Sequence, residues 1–356
     1  MAVATGFPEL SGRVVIMPSV GRIPSLVPRR LEQGAFELAC VGRLEKGCER
    51  FPMQDLAPNI SNPESTRVFR VGAVQMIFAE SMAANLGKIE RAATAAARKG
   101  ADAVLFPECA TTGYAMDFGN LKPSAVDQAL NAISQLAADL RVQLLVGSPV
   151  FRSGRLYNAL LVFNRSGRLV HAYAKCQLTQ SDRQWFSAGE DISLFELDGI
   201  PASTFICHER RYPELPRISA MAGARIVFHP NAGMDSLAVS RKKRGGRDGM
   251  AVRAFENAVY YVFANSVGPQ GQGKWSAGDS KIVHPSGKVL RIANNQDEAT
   301  LIADLKMADA TGQYALESLE HPRWLAAHWK SILPKLVRKA RRTDALFEKR
   351  FPGRSV

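Results

Sequence analysis

The chain has 356 residues, 46% of them hydrophobic, which is enough for one large domain with extensions or for two ordinary ones. Lys and Arg outnumber Asp and Glu by 46 to 33, a formal net charge of +13 that suits nucleic acid, an anionic surface or acidic small substrates. No nucleic-acid-binding module or aromatic-interleaved basic stripe accompanies that charge, so nucleic acid is set aside as a partner and most basic residues read as solvated faces.

Residues 1–66 read as an extension, with prolines scattered through it (Pro8, Pro18, Pro24, Pro28, Pro52, Pro58, Pro63) and no long periodic stretch. The character changes at Val68. Val71–Met76 is a compact apolar run of strand type. Asn85 is placed to cap an Ala-rich helix that runs to Lys99 and stops at Gly100. Ala103–Phe106 is a second buried strand, ending in Pro107-Glu108. Leu130, Ile133, Leu136, Ala137 and Leu140 recur at helical spacing, and the strand Gln143–Val150 follows. Such alternation predicts βαβ units in a layered α/β domain.

The next stretch is richer in hairpins. Ser153-Gly154 and Ser166-Gly167 punctuate the strands Leu156–Phe163 and Leu169–Ala174, and Asp198-Gly199 separates Leu194–Leu197 from Ala202–Ile206. Then come a helix over Pro213–Ala222, a strand Arg225–His229, a helix near Met250–Ala258 and a strand Val259–Ala264. A hairpin Ser280–Arg291 turns at Pro285-Ser286-Gly287, and Thr300–Asp304 is the last strand. This divides the chain into an extension (1–66), a main domain (67–316) and a basic helical tail (317–356) suited to packing on another subunit. The cysteines (Cys40, Cys48, Cys109, Cys176, Cys207) are odd in number and lack metal-type or CxxC spacing, which predicts free thiols in a reducing compartment. No apolar run reaches the ~20 residues of a membrane helix, and no secretory signal is visible. The expectation is a cytoplasmic protein without a membrane partner.

Three reactive side chains each end a separate apolar run: Glu108 after AVLFP, Lys175 after LVHAYA and Cys207 after STFI. Taken singly, each has an ordinary reading: a loop or N-cap carboxylate, the first exposed residue after a strand, a small core thiol. Taken together they suit one sheet edge, because the carboxyl ends of strands in α/β sheets form the ligand crevice. The densely charged HERRYPE after Cys207 cannot continue a buried strand, so the thiol is expected where core meets solvent. A nucleophilic thiol needs a base, which Glu108 can supply. A tetrahedral oxyanion needs fixed donors, which Lys175 and the backbone N–H of His208 can supply.

In order along the chain, FPE (Phe106–Glu108) with TTGY (Thr111–Tyr114), YAKCQL (Tyr173–Leu178), ICHERRYPEL (Ile206–Leu215), RAFEN (Arg253–Asn257), Asn265 and GDSKIVHPSGKVL (Gly278–Leu290) resemble the motifs of the nitrilase superfamily of carbon–nitrogen hydrolases. The similarity spans roughly Val68 to Lys306. It implies an αββα four-layer sandwich, a homodimer or larger homo-oligomer, and a Glu108–Lys175–Cys207 triad with no metal or organic cofactor. By this resemblance Cys207 attacks the amide or nitrile carbon, Glu108 carries the proton, and a thioester forms and is hydrolysed.

Departures from the family pattern carry information. Asp182 stands where many members have a second glutamate; it can orient Lys175 or the substrate, or be a surface aspartate. Nitrilases proper tend to show Trp-Glu after the cysteine, whereas this chain has His208-Glu209, which favours a small linear amide or N-carbamoyl compound over a nitrile. His208 can also be read as the base of a Cys/His pair, but adjacent strand residues point to opposite sides. Arg210-Arg211 resembles the paired arginines of N-carbamoyl-amino-acid amidohydrolases, which help bind a carboxylate; the alternative is a structural salt bridge at Arg211. With Tyr114 and Asn231 they form the expected substrate-binding set. Ser240–Gly249 is a basic, glycine-containing loop bordering the pocket or the surface, and GQGKWS (Gly271–Ser276) lacks the setting of a phosphate loop. Nitrile hydrolysis, acyl transfer by the same triad and a non-catalytic binding role stand as the alternatives.

Overall fold

Strand and helix segments alternate from Val68 onward in the computed structural model, which describes residues 67–114, 117–242 and 249–348, with side chains as far as residue 340. The expected extension 1–66, the middle of the basic loop at 243–248, and Cys40 and Cys48 lie outside the described residues. The first half comprises β1 (Val68–Gln75), α1 (Met82–Arg98), β2 (Ala103–Leu105), α2 (Pro123–Leu140), β3 (Gln143–Arg152), β4 (Arg155–Phe163) and β5 (Leu169–Ala174). The second comprises β6 (Phe195–Leu197), β7 (Ile200–Thr204), α3 (Glu214–Met221), β8 (Ile226–Asn231), α4 (Leu237–Lys242), α5 (Gly249–Asn257), β9 (Tyr260–Asn265), β10 (Val267–Pro269), β11 (Trp275–Ala277), β12 (Lys281–Val283), β13 (Val289–Ile292), β14 (Ala299–Lys306), α6 (Gln313–Glu317) and α7 (Arg323–Glu348).

Two six-stranded sheets result, in the orders β14-β1-β2-β3-β4-β5 and β13-β12-β9-β8-β7-β6. The middles of both are parallel: β1, β2 and β3 run together, as do β7, β8 and β9, while the flanking strands are antiparallel. Parallel strands sandwiched on both faces must be apolar nearly throughout, which is why LLV in β3 and IVF in β8 are continuous apolar runs. Phe69, Val71, Leu105 and Leu160 of one sheet meet Ile226, Phe228, Tyr260 and Val262 of the other in the central layer. Helices α1 and α2 cover the outer face of the first sheet through Ile89, Ala93, Leu130 and Ile133. Helices α3, α5 and α6 cover the second through Ala220, Met221, Ala254 and Ala315. This is the αββα sandwich.

Local departures have local causes. Ser81, not Asn85, caps α1: its side chain accepts from the Ala84 N–H at 3.2 Å. Asn85 is buried inside the first turn and reaches back to the Ala79 N–H at 2.8 Å, so its polar signal belongs to the preceding loop. The tail helix α7 runs beside β5 and puts Leu333 and Val337 into the outer apolar layer of this same domain. Among the described residues no helix is long and apolar enough to cross a membrane.

One glycine fixes how the segment after β2 meets β3. A Cβ on Gly147 would lie 2.7 Å from both Glu108 Cα and Cys109 N, and closer still to the Pro107 carbonyl oxygen, so the Glu108 backbone rests directly on the β3 backbone. Gly147→Ala is expected to destabilise the fold by about 1–3 kcal/mol, the usual penalty of overpacking, read as a lower urea midpoint. An unchanged midpoint would mean that this close approach is not required.

Candidate active site

The carboxyl ends of the parallel strands open into a cavity of about 690 Å³ lined by Glu108, Lys175, Asp182, Cys207, Asn231 and Ala232, with Arg210, Arg211 and Lys274 also on its wall. Glu108, 1% exposed, follows β2. Its Oε1 accepts from Lys175 Nζ at 2.7 Å and from Asn158 Nδ2 at 2.8 Å, and its Oε2 from the Ala232 N–H at 3.0 Å. Lys175, also 1% exposed, follows β5 and sends Nζ to Asp182 Oδ2 at 2.8 Å as well. Asp182 is therefore not a surface aspartate. It begins a 3₁₀ turn, is 4% exposed, and also accepts from the Thr179 N–H at 3.0 Å. Burial alone would lower the Lys175 pKa, but Glu108, then Cys207 and Asp182, raise it well above its ordinary value.

Cys207 does not end a strand as its sequence suggests. β7 stops at Thr204, and Cys207 opens a 3₁₀ turn, Cys207–Arg211, with φ = 52°. For a residue with a Cβ this left-handed conformation is strained, and the surroundings must hold it. Burial and the Glu108 carboxylate push the thiol up to about 12, against the pull of Lys175 and Arg210. A thiol held in this way becomes a nucleophile only with a base to take its proton. His208 lies in the same turn, so strand alternation does not govern its direction. Its ring stacks edge-on against Tyr212, and burial with Arg211, Lys175 and Arg210 holds its pKa below the ordinary value, which weakens it as a base.

The remaining expected residues are brought to the same cavity. The Tyr114 hydroxyl accepts from Asn158 Nδ2 at 2.9 Å. Asn231 ends β8 and donates its side-chain N–H to Asn265 Oδ1 at 2.7 Å, while its own Oδ1 is buried without a partner. Arg210 is half-buried and Arg211 exposed, and neither makes an ion pair with another described residue. The glycine-rich GQGKWS spans the β10–β11 turn and brings Lys274 to the cavity wall. Among the described residues no group of three or more His, Cys, Asp or Glu side chains is arranged to hold a metal ion.

Two supporting residues escaped the sequence reading. Asn158 on β4 ties Glu108 to Tyr114 from the middle of an apolar strand. Glu209 lies within the densely charged HERRYPE run, yet it is fully buried. It accepts from the N–H groups of Ile206 at 2.6 Å, Cys176 at 2.7 Å and Gln177 at 3.0 Å, and from the Tyr173 hydroxyl at 3.0 Å. It thereby clamps the residue before Cys207 to the residues after Lys175.

The carbon-nitrogen hydrolase family profile matches residues 70–314. An omega-amidase of Danio rerio is 27% identical over 253 residues, covering 67% of this chain and 88% of the relative. A 2-oxoglutaramate amidase of Bacillus subtilis is 28% identical over 222 residues, covering 60% and 81%. Among solved structures, the amidase from Nesterenkonia sp. AN1 aligns with TM-score 0.63 and 26% identity, over 73% of this chain and 99% of that one. A mutant of that amidase in complex with butyramide aligns with TM-score 0.63 and 25% identity, over 73% and 97%.

The protonated resting thiol has a measurable signature. Iodoacetamide alkylation of Cys207, followed by peptide mass mapping, is expected to rise about tenfold per pH unit from pH 7 to pH 10, as the thiolate fraction does. A plateau starting near pH 8 would show a stabilised resting thiolate instead.

Proposed function

The chain belongs to the carbon-nitrogen hydrolase family as an amidase-type hydrolase, and on that premise we propose that Cys207, Glu108 and Lys175 hydrolyse a small linear amide or N-carbamoyl compound carrying a carboxylate. The observation that carries this reading is the buried Glu108 carboxylate, held against Lys175 Nζ at 2.7 Å in the cavity that Cys207 lines. Glu108 takes the Sγ proton as sulfur bonds to the carbonyl carbon. The oxygen gains the electron pair and is held by the Lys175 ammonium and the His208 N–H. The C–N bond breaks as Glu108 returns the proton to nitrogen, releasing ammonia and leaving a thioester. Water, losing its proton to Glu108, then adds to the thioester carbon; the C–S bond breaks, the acid departs and Cys207 recovers its proton. Asp182 keeps the Lys175 ammonium charged and aimed.

The substrate class rests on the wall above this floor. Arg210 faces the cavity without a carboxylate partner among the described residues, beside Arg211 and Lys274. A buried or half-buried guanidinium without a counterion favours an anionic ligand. The substrate in the name of the Bacillus subtilis relative, 2-oxoglutaramate, has this pattern, an amide at one end and a carboxylate at the other. Trp185 and Phe118, whose rings lie 6.1 Å apart on the same wall, suit the short apolar linker between them.

Ammonia release from ω-amides and N-carbamoyl amino acids tests the reading. Cys207→Ala is expected to abolish turnover, Glu108→Gln to lower kcat by about 10²–10⁴ and Lys175→Ala by about 10²–10³. Glu108→Gln also removes the charge that raises the thiol pKa, so Cys207 alkylation at pH 7.5 should become faster while hydrolysis is lost. Arg210→Leu is expected to lower kcat/KM about 10–100-fold for carboxylate-bearing amides, the value of a charge-assisted hydrogen bond, and to lower it far less for butyramide. Equal losses on both would remove the carboxylate from the proposal, and cleavage of nitriles alone would overturn the amide assignment.

A further inference from the structure

The strained bend at Cys207 is held on one side by Glu209; on the other side lies a buried histidine that the reaction scheme does not use. His229 sits on β8 at 0% exposure, in a cage of Phe205, Phe263 and Tyr261 whose ring centroids are 5.0, 4.9 and 5.7 Å away. An imidazole in such surroundings is tolerated only when both nitrogens are satisfied. Nε2 lies 3.1 Å from the Cys207 carbonyl oxygen, and Nδ1 lies 2.7 Å from the Tyr261 hydroxyl. One tautomer fits. A carbonyl oxygen only accepts, so Nε2 carries the hydrogen; Nδ1 then presents a lone pair, and Tyr261 must donate to it. Burial, with Arg210 and Lys175, holds the His229 pKa well below its ordinary value despite the Cys207 carbonyl, so the ring stays neutral and the donor stays single.

The bond to Cys207 acts on more than the cysteine. The Cys207 carbonyl and the His208 N–H belong to one planar trans peptide and point in opposite directions. A donor that fixes the carbonyl therefore fixes the N–H as well, turned away from the aromatic cage. We propose that His229, with its tautomer set by Tyr261, is a positioning residue that locks the Cys207–His208 peptide and so presents the His208 N–H as an oxyanion donor. This inference rests on the proposed role of that N–H and adds the device that aims it. Rotation of this peptide would remove the donor and release the bend that carries Sγ, while leaving Glu108, Lys175 and the cavity in place. The β8 position is otherwise suited to any apolar side chain, because three aromatic rings surround it.

Gln and Met have similar volumes and reach, but only Gln places an N–H near the Nε2 position. His229→Met is expected to lower kcat for butyramide or the best ω-amide by about tenfold or more, part of what an oxyanion donor supplies, with KM within about twofold. Butyraldehyde, whose adduct with Cys207 carries the same oxyanion, should bind more weakly in the same proportion. His229→Gln should restore most of both, and Tyr261→Phe, which removes only the hydroxyl, should fall between them. Alkylation of Cys207 by iodoacetamide is the readout that needs no substrate: its pH profile should shift in His229→Met and match the parent in His229→Gln. If no amide is hydrolysed by the parent protein, the functional reading fails, and the alkylation contrast still decides the positioning role. Equal kcat, aldehyde affinity and alkylation in the Met and Gln variants, corrected for folded fraction, would overturn it.

Discussion

One ammonium between two carboxylates organises the site. Lys175 contributes one positive charge and Glu108 and Asp182 one negative charge each, so the cluster has a net charge of −1 at nearly complete burial. Burying charge is unfavourable unless every charged atom is paired and hydrogen-bonded, and loss of one partner from such a cluster is strongly destabilising. The surroundings meet that demand with Asn158 Nδ2 and the Ala232 N–H on Glu108, and the Thr179 N–H on Asp182. The Glu108 charge has a consequence next door: together with burial it favours the neutral thiol at Cys207.

The fold exists to bring these charges together from distant parts of the chain. β2 and β5 belong to one sheet and β7 and β8 to the other, yet Glu108, Lys175, Cys207 and Ala232 all leave the carboxyl ends of these strands. The shared central apolar layer sets the spacing of the two sheets. Glu209 and Gly147 then set the finer distances, one by tying the Cys207 turn to the segment after Lys175, the other by letting the Glu108 backbone lie against β3. Both act through backbone groups. A helix or a loop alone would not bring three reactive side chains from such distant positions to one cavity.

Much of this was legible beforehand because the sandwich strands are buried on both faces and therefore apolar in unbroken runs, and because each reactive residue ends such a run. What stayed hidden has a common physical cause: polar side chains whose partners are backbone groups or distant residues leave no periodic trace. Glu209 stands among His208, Arg210 and Arg211 in a charged run that gives no sign of the four donors around it. Asn158 and His229 sit in apolar strands where only their tertiary partners explain them. The bend at Cys207 was invisible because φ is positive at a residue that ordinarily avoids it, and Asn85 drew the helix cap away from Ser81 because Asn serves a turn as well as a cap.

The electrostatics of the cavity also orient what enters it. The floor carries the net −1 of the Glu108–Lys175–Asp182 cluster, while the wall carries Arg210, Arg211 and Lys274 against Asp117 and Asp235, three positive charges and two negative, a net of +1. A molecule with an amide at one end and a carboxylate at the other experiences opposite forces at its two ends. The carboxylate is disfavoured near the floor and favoured at the wall, whereas the neutral amide meets no such penalty beside Cys207. On the proposed substrate reading, the amide-inward direction is the one these charges favour before any close contact forms. On the same proposed reading, hydrolysis would place a second negative charge at the floor, next to Glu108 and Asp182, where the field that favours the amide disfavours the product.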